Sequence, residues 1–307
     1  MRVTVAGVEL RSPVIAASGT FGYGVEFEEI VSFNRIGAFV TKGLSREPMA
    51  GHAAPRIIET PAGMINAIGL QNVGVRAFLS DKLPKISKMK GAVVIANVFG
   101  YNIEDCLQVI RALNGADGIA MYELNASCPN TAHGGMVFGT DPILLYDLVL
   151  ACKREARRPL MVKLSPNVTS IGRMARVAED AGADAVSLVN TFLALSIDVE
   201  TRRPRLSNVT GGLSGPAIKP IAVRLVHEAS CAVRIPVIGL GGIMCAEDAV
   251  EFLLAGAIAV QVGTANYADP RATENIAAGL RRWCAGHRIE RVSDLTGAAD
   301  FSKVTVS

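Results

Sequence analysis

The feature of this sequence that most limits its possible folds is a series of eight short apolar runs, each ending in or followed by Gly, Asn, Lys or Ser. The runs are residues 14–17, 38–41, 93–97, 118–124, 160–164, 185–189, 237–240 and 257–262. Most precede a segment with helical spacing, namely 103–113, 142–154, 171–181, 219–229 and 246–255. Apolar strands that alternate with helices are typical of a parallel sheet covered by helices. Eight such units predict an α/β fold, the (β/α)8 TIM barrel.

The remaining segments are predicted to extend this barrel. Residues 1–10 are expected to form a short hairpin that closes the barrel floor. Residues 45–72 and 191–220 form long βα-loop insertions rich in Gly, Pro, Arg and Asn, which is typical of lids or interface elements. No shift in composition marks a boundary, so we expect one domain over residues 1–307. A doubly wound sheet is the alternative, but the sequence lacks a dinucleotide-binding glycine fingerprint.

Composition and charge argue against several classes of protein. Charged residues make up 19% of the chain, against about 25% in typical soluble proteins, which predicts a large buried core. The formal charge of +3, without a Lys/Arg-rich block, gives no reason to expect a nucleic acid or an anionic membrane as partner. Neither a membrane-spanning run nor the apolar segment of a signal peptide is found, so we expect a cytoplasmic protein.

The predicted strand ends carry the polar residues of interest. They are Ser18-Gly19, Lys42-Gly43, Asn97, Asn125, Lys163, Asn190-Thr191, Gly241-Gly242 and Gly263-Thr264. The active site of such a barrel lies at the C-terminal ends of its strands. Any one of these residues could simply serve a turn, since Gly and Asn dominate turns. Eight such ends on one face indicate a ligand site instead.

A phosphate group is predicted at the last two strand ends. Gly239-Leu-Gly-Gly242 and Gly263-Thr-Ala265 would present backbone amides there, as in the usual phosphate site of a barrel. Lys42 and Lys163 end buried strands, where a lysine is costly unless it meets an anion. They are expected to face ligand charge, with a structural salt bridge as the alternative. Phosphate, amides and a lysine together fit flavin mononucleotide (FMN).

One cysteine stands in an unusual setting, the segment Glu123-Leu-Asn-Ala-Ser-Cys-Pro-Asn130. The simpler interpretation of Cys128 is a small buried hydrophobe in a turn. A thiol and two amide side chains at one strand end favour proton chemistry on a polar, planar ligand instead. The six cysteines, at positions 106, 128, 152, 231, 245 and 284, lack the spacing of a zinc or iron–sulfur site, so no metal is expected on this chain.

These motifs resemble the class 1 dihydroorotate dehydrogenases, and within them the catalytic, FMN-binding subunit of the class 1B enzymes. The similarity runs nearly end to end and is strongest in residues 41–45, 59–72, 123–130, 133–141, 162–167 and 213–215. Glu59-Thr-Pro-Ala-Gly-Met64 and His133-Gly-Gly-Met136 distinguish the 1B pattern from 1A. Class 2 enzymes carry a serine as the base, where this chain has Cys128.

The resemblance implies oxidation of (S)-dihydroorotate to orotate in pyrimidine (UMP) biosynthesis, with Cys128 as the base and Asn130 as a further contact. It implies that FMN is held by Ser18, Lys42, Gly43, Asn97, Asn125, Lys163, Val189, Gly215, Gly241, Gly242, Gly263 and Thr264. It implies that the substrate meets Lys42, Asn66, Ala67, Ile68, Gly69, Leu70, Asn125, Asn190 and Thr191. Whether Lys42 contacts substrate or flavin stays open.

The resemblance also implies a partner, because this chain has no NAD-binding fingerprint and no clustered cysteines. The partner would be an electron-transfer subunit with FAD and a [2Fe–2S] cluster that passes electrons to NAD⁺, in a heterotetramer of two catalytic and two electron-transfer chains. Two rival interpretations are an FMN subunit similar to dihydropyrimidine dehydrogenase and a non-catalytic barrel that binds phosphate or flavin.

Overall fold

The computed structural model describes residues 1–126 and 138–302. Along this part of the chain the strands are β1 (Val3–Val5), β2 (Val8–Leu10), β3 (Val14–Ala16), β4 (Ala38–Val40), β5 (Ile57–Thr60), β6 (Gly63–Asn66), β7 (Val94–Val98), β8 (Ile119–Asn125), β9 (Leu160–Lys163), β10 (Ala185–Leu188), β11 (Phe192–Leu195), β12 (Ile197–Asp198), β13 (Arg203–Pro204), β14 (Thr210–Ser214), β15 (Val237–Leu240) and β16 (Ala259–Val262). The helices are α1 (Gly74–Ala77), α2 (Leu83–Ile86), α3 (Ile103–Asn114), α4 (Pro142–Glu155), α5 (Ile171–Asp180), α6 (Lys219–Ala232), α7 (Ala246–Leu254), α8 (Ala265–Ala268) and α9 (Ala272–Gly286).

Eight parallel strands close into a barrel in the order β3-β4-β7-β8-β9-β10-β15-β16, so each strand pairs with the next barrel strand along the chain. These strands coincide with the eight apolar runs of the sequence. Most of them, such as Leu160–Lys163 and Val237–Leu240, are buried at every position because side chains fill the barrel inside and helices cover it outside. The predicted (β/α)8 barrel is confirmed.

The helices lie outside the barrel, and their ends follow local sequence signals. Asn102, Asp141 and Ser170 cap α3, α4 and α5 by accepting hydrogen bonds from backbone N–H groups of the first turn. Gly182 and Gly256 follow α5 and α7 with φ of 96° and 117°, a conformation that favours glycine. The five predicted helices are confirmed. α9, which was not predicted, packs against α7 and β3 where the barrel closes.

The N-terminal residues form the predicted hairpin, in which β1 and β2 pair antiparallel from Val3↔Leu10 to Val5↔Val8. Val3, Val5 and Leu10 are buried in the main hydrophobic core. The hairpin is therefore held to the barrel by apolar packing of alternate side chains.

The two long insertions, which are predicted as βα-loop insertions, contain strands that the sequence reasoning did not predict. They meet in a four-stranded antiparallel sheet of order β11-β14-β6-β5, which joins chain segments about 150 residues apart. At Gly212 in β14, an added Cβ would stand 2.0 Å from Thr191 Oγ1, so glycine is needed for this close approach. The glycines that made the segment resemble a loop are thus part of the strand. No helix within the described ranges is both long and apolar enough to cross a membrane.

Candidate active site

A cavity of about 730 Å³ lies where the C-terminal ends of the barrel strands meet the four-stranded sheet. Nearly all of the predicted site residues line it: Ser18, Lys42, Gly43, Asn66, Ala67, Ile68, Gly69, Leu70, Asn97, Asn125, Lys163, Val189, Asn190, Thr191, Gly241, Gly242, Gly263 and Thr264. A second hollow of about 670 Å³, beside β12 and β13, is lined by none of them. The structure therefore brings the residues of eight strand ends and two insertions into one place.

Three of the predicted residues stand apart from this lining. Gly215 is not on the cavity wall, but its carbonyl lies behind Gly242. Cys128 and Asn130 lie outside the described residues, so their predicted roles rest on the sequence. Asn125, which ends β8 just before that segment, lines the cavity.

The two lysines of the strand ends both reach the cavity. Lys163 is 7% exposed, and within residues 1–126 and 138–302 no acceptor lies at hydrogen-bond or salt-bridge distance from its ammonium group. The alternative of a structural salt bridge for Lys163 thus finds no support in the described part of the chain. Burial lowers the pKa of Lys42, and the nearby charge of Arg56 lowers this pKa further, against a smaller opposing effect of Glu26. An anionic ligand would stabilise both ammonium groups.

A buried polar cluster lies within the barrel and reaches the cavity wall. The Glu123 carboxylate, which is fully buried, accepts hydrogen bonds from Asn97 Nδ2 at 2.7 Å, Ser187 Oγ at 2.9 Å and Gln261 Nε2 at 2.7 Å. Asn97 stands on the neighbouring strand β7, Ser187 on β10 and Gln261 on β16 across the barrel. We call these four residues the Glu123 cluster. Asn97 and Gln261 are its two members on the cavity wall.

Amide and hydroxyl groups are held in place at the remaining strand ends. Asn190 Nδ2 donates to Asn125 Oδ1 at 3.4 Å, and Asn190 Oδ1 accepts from the Thr191 backbone at 2.8 Å. Asn66 Nδ2 donates to the Gly212 carbonyl at 3.4 Å across the β6–β14 pair. The cavity wall therefore presents several amides, each of which offers a donor and an acceptor to a planar polar ring.

The glycines after β15 form a narrow cradle. Gly241 and Gly242 have φ of 129° and 80°, in the left-handed region that side chains rarely adopt. A Cβ at Gly242 would stand 2.8 Å from the Gly215 carbonyl oxygen and 2.8 Å from Lys219 Cβ. Thr264 Oγ1 donates to Ser214 Oγ at 2.8 Å on the facing side. Glycine is therefore needed at Gly242 both for the backbone conformation and for close packing against Gly215 and Lys219.

Several wall residues were missed by the sequence reasoning. Gln261 and Arg56 line the cavity, as do Asn167 and Tyr267. The signal for Gln261 was present, since it is the one polar residue of the buried strand Ala-Val-Gln-Val. Asn167 Oδ1 accepts from the Leu193 backbone at 3.0 Å and so ties the end of β9 to β11. Burial raises the pKa of the Tyr267 phenol, whose hydroxyl donates to the Gly19 carbonyl at 3.4 Å.

Comparison with known proteins places the chain in a family. A family model described as dihydroorotate dehydrogenase matches residues 1–283. A putative dihydroorotate dehydrogenase A (fumarate) of Solibacter usitatus is 58% identical over 301 residues, covering 98% of this chain and 99% of that protein. The catalytic subunit of dihydroorotate dehydrogenase B (NAD(+)) of Pelobacter propionicus is 53% identical over 300 residues, or 98% of each chain. The corresponding subunit of Geobacter sulfurreducens is 52% identical with the same coverage. The chain belongs to the dihydroorotate dehydrogenase family.

Proposed function

We propose that this chain oxidises (S)-dihydroorotate to orotate in pyrimidine biosynthesis, as a single barrel domain that binds FMN. The observation that carries the proposal is the convergence of 18 predicted residues on one cavity in a chain of this family. The relatives' names support the reaction, since all three are dihydroorotate dehydrogenases.

The described residues fit a flavin with a phosphate tail. The cradle at Gly241 and Gly242 suits a phosphate, because both glycines line the cavity and can present backbone amides there. Lys163 brings a buried positive charge, and Gln261 Oε1 is a buried acceptor without a partner among the described residues. FMN would supply the hydride acceptor of the reaction. Lys163 would stabilise the negative charge that a reduced flavin carries.

The chain's own contribution to the chemistry is a base and a positioned substrate. Cys128 would take the proton from C5 of dihydroorotate as a thiolate, while the C6 hydride leaves to the flavin and the C5=C6 double bond forms. A thiol suits this step because its usual pKa of about 8.5 can be lowered by a nearby cation. Asn66, Asn125 and Asn190 would hold the N–H and C=O groups of the pyrimidine ring, and Lys42 its carboxylate.

The electrons are proposed to leave through a separate subunit with FAD and a [2Fe–2S] cluster that reduces NAD⁺, in a cytoplasmic assembly of two catalytic and two electron-transfer chains. Most of the relatives compared support this route, as they are named catalytic subunits of NAD(+) enzymes. The 58% identical relative is named for fumarate instead, so the acceptor needs a direct test.

The reaction is tested by reconstituting the purified chain with FMN and mixing it anaerobically with dihydroorotate in a stopped-flow spectrometer. Bleaching of the flavin absorbance with formation of orotate supports the proposal. An unbleached flavin would favour a non-catalytic barrel. Bleaching by dihydrouracil but not by dihydroorotate would favour an enzyme similar to dihydropyrimidine dehydrogenase.

The electron route is tested by reoxidising the reduced chain with NAD⁺, fumarate or an artificial dye. Fast reoxidation by the dye but not by NAD⁺, with NAD⁺ reduction restored by an iron–sulfur flavoprotein partner, is the expected result. If the chain alone turns over rapidly with fumarate, the proposed partner subunit is not needed and fumarate is the electron acceptor.

A further inference from the structure

Glu123 and Ser187 have no role in the function proposed above, yet they belong to a buried polar cluster that includes two residues of the cavity wall. Its carboxylate accepts three hydrogen bonds, and the two donors on the cavity wall are the amide nitrogens of Asn97 and Gln261. Glu123 and Ser187 themselves do not line the cavity. The cluster is therefore a support behind the wall rather than part of it.

The chemistry of the donors sets the direction in which both amides point. Asn97 Nδ2 and Gln261 Nε2 each lie 2.7 Å from a Glu123 carboxylate oxygen, so both amides turn their NH₂ groups inward and their oxygens away. Asn97 Oδ1 accordingly lies next to Gly43 on the cavity wall, where an added Cβ would stand 3.2 Å from it. Gln261 is 1% exposed, and its Oε1 has no hydrogen-bond partner in the described ranges. A buried acceptor without a partner is costly, so a group that donates to Gln261 Oε1 would stabilise this end of the side chain.

We infer that Glu123 is a positioning residue of the flavin site: it holds the NH₂ groups of Asn97 and Gln261, two residues of the cavity wall, and so turns both amide oxygens away from the carboxylate. Hydrogen-bond acceptors held in this way suit the N–H and O–H groups of a flavin. This inference rests on the flavin binding proposed above. It adds Gln261 to the residues of the flavin site and Glu123 as the residue that determines how both amides are oriented there.

The decisive variant is Glu123→Gln, which keeps the shape of the side chain but introduces an NH₂ group among three donors. At least one neighbouring amide must then turn over to accept from it, and that amide presents NH₂ instead of oxygen to the flavin. Loss of one such contact is expected to weaken FMN binding about tenfold. It is also expected to change the visible absorption spectrum of the bound flavin.

A matched control separates positioning from general stability. Tyr122 precedes Glu123 on β8 and is also fully buried, but its hydroxyl bonds with Asn114 and Arg158 and does not line the cavity. Tyr122→Phe should lower the melting temperature and leave the flavin spectrum and FMN affinity as in the unchanged protein. Only the positioning role predicts a spectral change in Glu123→Gln that Tyr122→Phe lacks.

The experiment titrates flavin-free protein with FMN by fluorescence and records spectra of the unchanged chain, Glu123→Gln, Gln261→Leu and the double variant. The inference is supported if both single variants bind FMN more weakly and the double variant loses less binding free energy than the sum of the two single losses. Unchanged affinity and spectrum in Glu123→Gln, or a change matched by Tyr122→Phe, would overturn it. If Glu123→Gln does not fold, the Gln261→Leu variant decides: unchanged FMN affinity overturns the inference, and weaker FMN binding supports it. An unchanged chain that binds no FMN would refute the proposed function itself, and this inference with it, before any variant is compared.

Discussion

Replacing Lys163 by methionine should affect ligand binding and stability in opposite directions. Lys163 ends β9 at the cavity wall and is 7% exposed, and no described residue accepts a hydrogen bond from it. Methionine is close in length and apolar, so the variant removes the charge with little change of volume. If Lys163 serves only to bind the ligand, its loss should weaken ligand binding without lowering the free energy of unfolding.

The expected changes in FMN affinity and in the free energy of unfolding follow from the contacts that the flavin complex and the flavin-free protein each lose. In the flavin complex, a hydrogen bond to a charged group is worth about 1.5–3 kcal/mol, so FMN should bind roughly 10- to 150-fold more weakly. In the flavin-free protein no described partner is lost, and a lysine side chain that is 7% exposed is replaced by an apolar one. The free energy of unfolding should therefore stay the same or rise.

FMN fluorescence titration measures the first quantity, and urea unfolding of the flavin-free protein measures the second. Lys153→Met is the matched control, because Lys153 donates to Asp184 Oδ2 at 2.5 Å on the outside of the barrel. The control should lose about 0–1 kcal/mol of stability and keep its FMN affinity. If Lys163→Met instead unfolds at lower urea and binds FMN normally, Lys163 is a structural residue and the reasoning is refuted.

Three further outcomes are expected. Gly242→Ala should reduce FMN retention on gel filtration and cost about 1–2 kcal/mol in urea unfolding, because its φ of 80° disfavours a side chain and a Cβ 2.8 Å from the Gly215 carbonyl oxygen would force the cradle backbone to shift; retention as in the unchanged chain would place the phosphate elsewhere. Cys128→Ala should slow flavin reduction by dihydroorotate by orders of magnitude in stopped-flow experiments while FMN stays bound, and a near-normal rate would eliminate Cys128 as the base. Because burial and Arg56 lower the pKa of Lys42, its charge is lost at a lower pH than that of an exposed lysine. Orotate affinity in spectral titrations should thus fall as pH rises through that lowered value, and Lys42→Arg should remove the fall; an identical pH profile in both would exclude Lys42 as the contact.

The barrel was predictable because its signals are local. Each strand is a short apolar run, and the ends of α5 and α7 carry glycines whose positive φ values terminate the helices. Strand ends of a parallel barrel share one face, so the sequence also predicted which polar residues would meet. Asn97, Asn125 and Lys163 could be placed together without any knowledge of distances.

The four-stranded sheet could not be predicted in the same way. β14 reads Thr-Gly-Gly-Leu-Ser, which is a poor strand by propensity, and its stability comes from pairing with β6 about 150 residues earlier. Gly212 is required by the close approach of Thr191 and Gly211 by that of the Asn66 carbonyl oxygen, which only the folded structure reveals. Tertiary pairing therefore overrides the local signal of these residues.

The Glu123 cluster shows a different limit of sequence reasoning. A glutamate in β8 and a glutamine in β16 both interrupt buried apolar runs, so the sequence marks each as exceptional. The sequence does not reveal that β8 and β16 face each other across the barrel. Nor does it reveal that the Glu123 carboxylate accepts hydrogen bonds from the amides of both Asn97 and Gln261. The cavity wall thus contains a polar group whose burial is not compensated within the described protein, because Gln261 Oε1 lacks a donor there. Because such a group costs stability when left unmet, ligand binding that brings a donor to it stabilises the fold, and Gln261 then couples cofactor affinity to the integrity of the barrel.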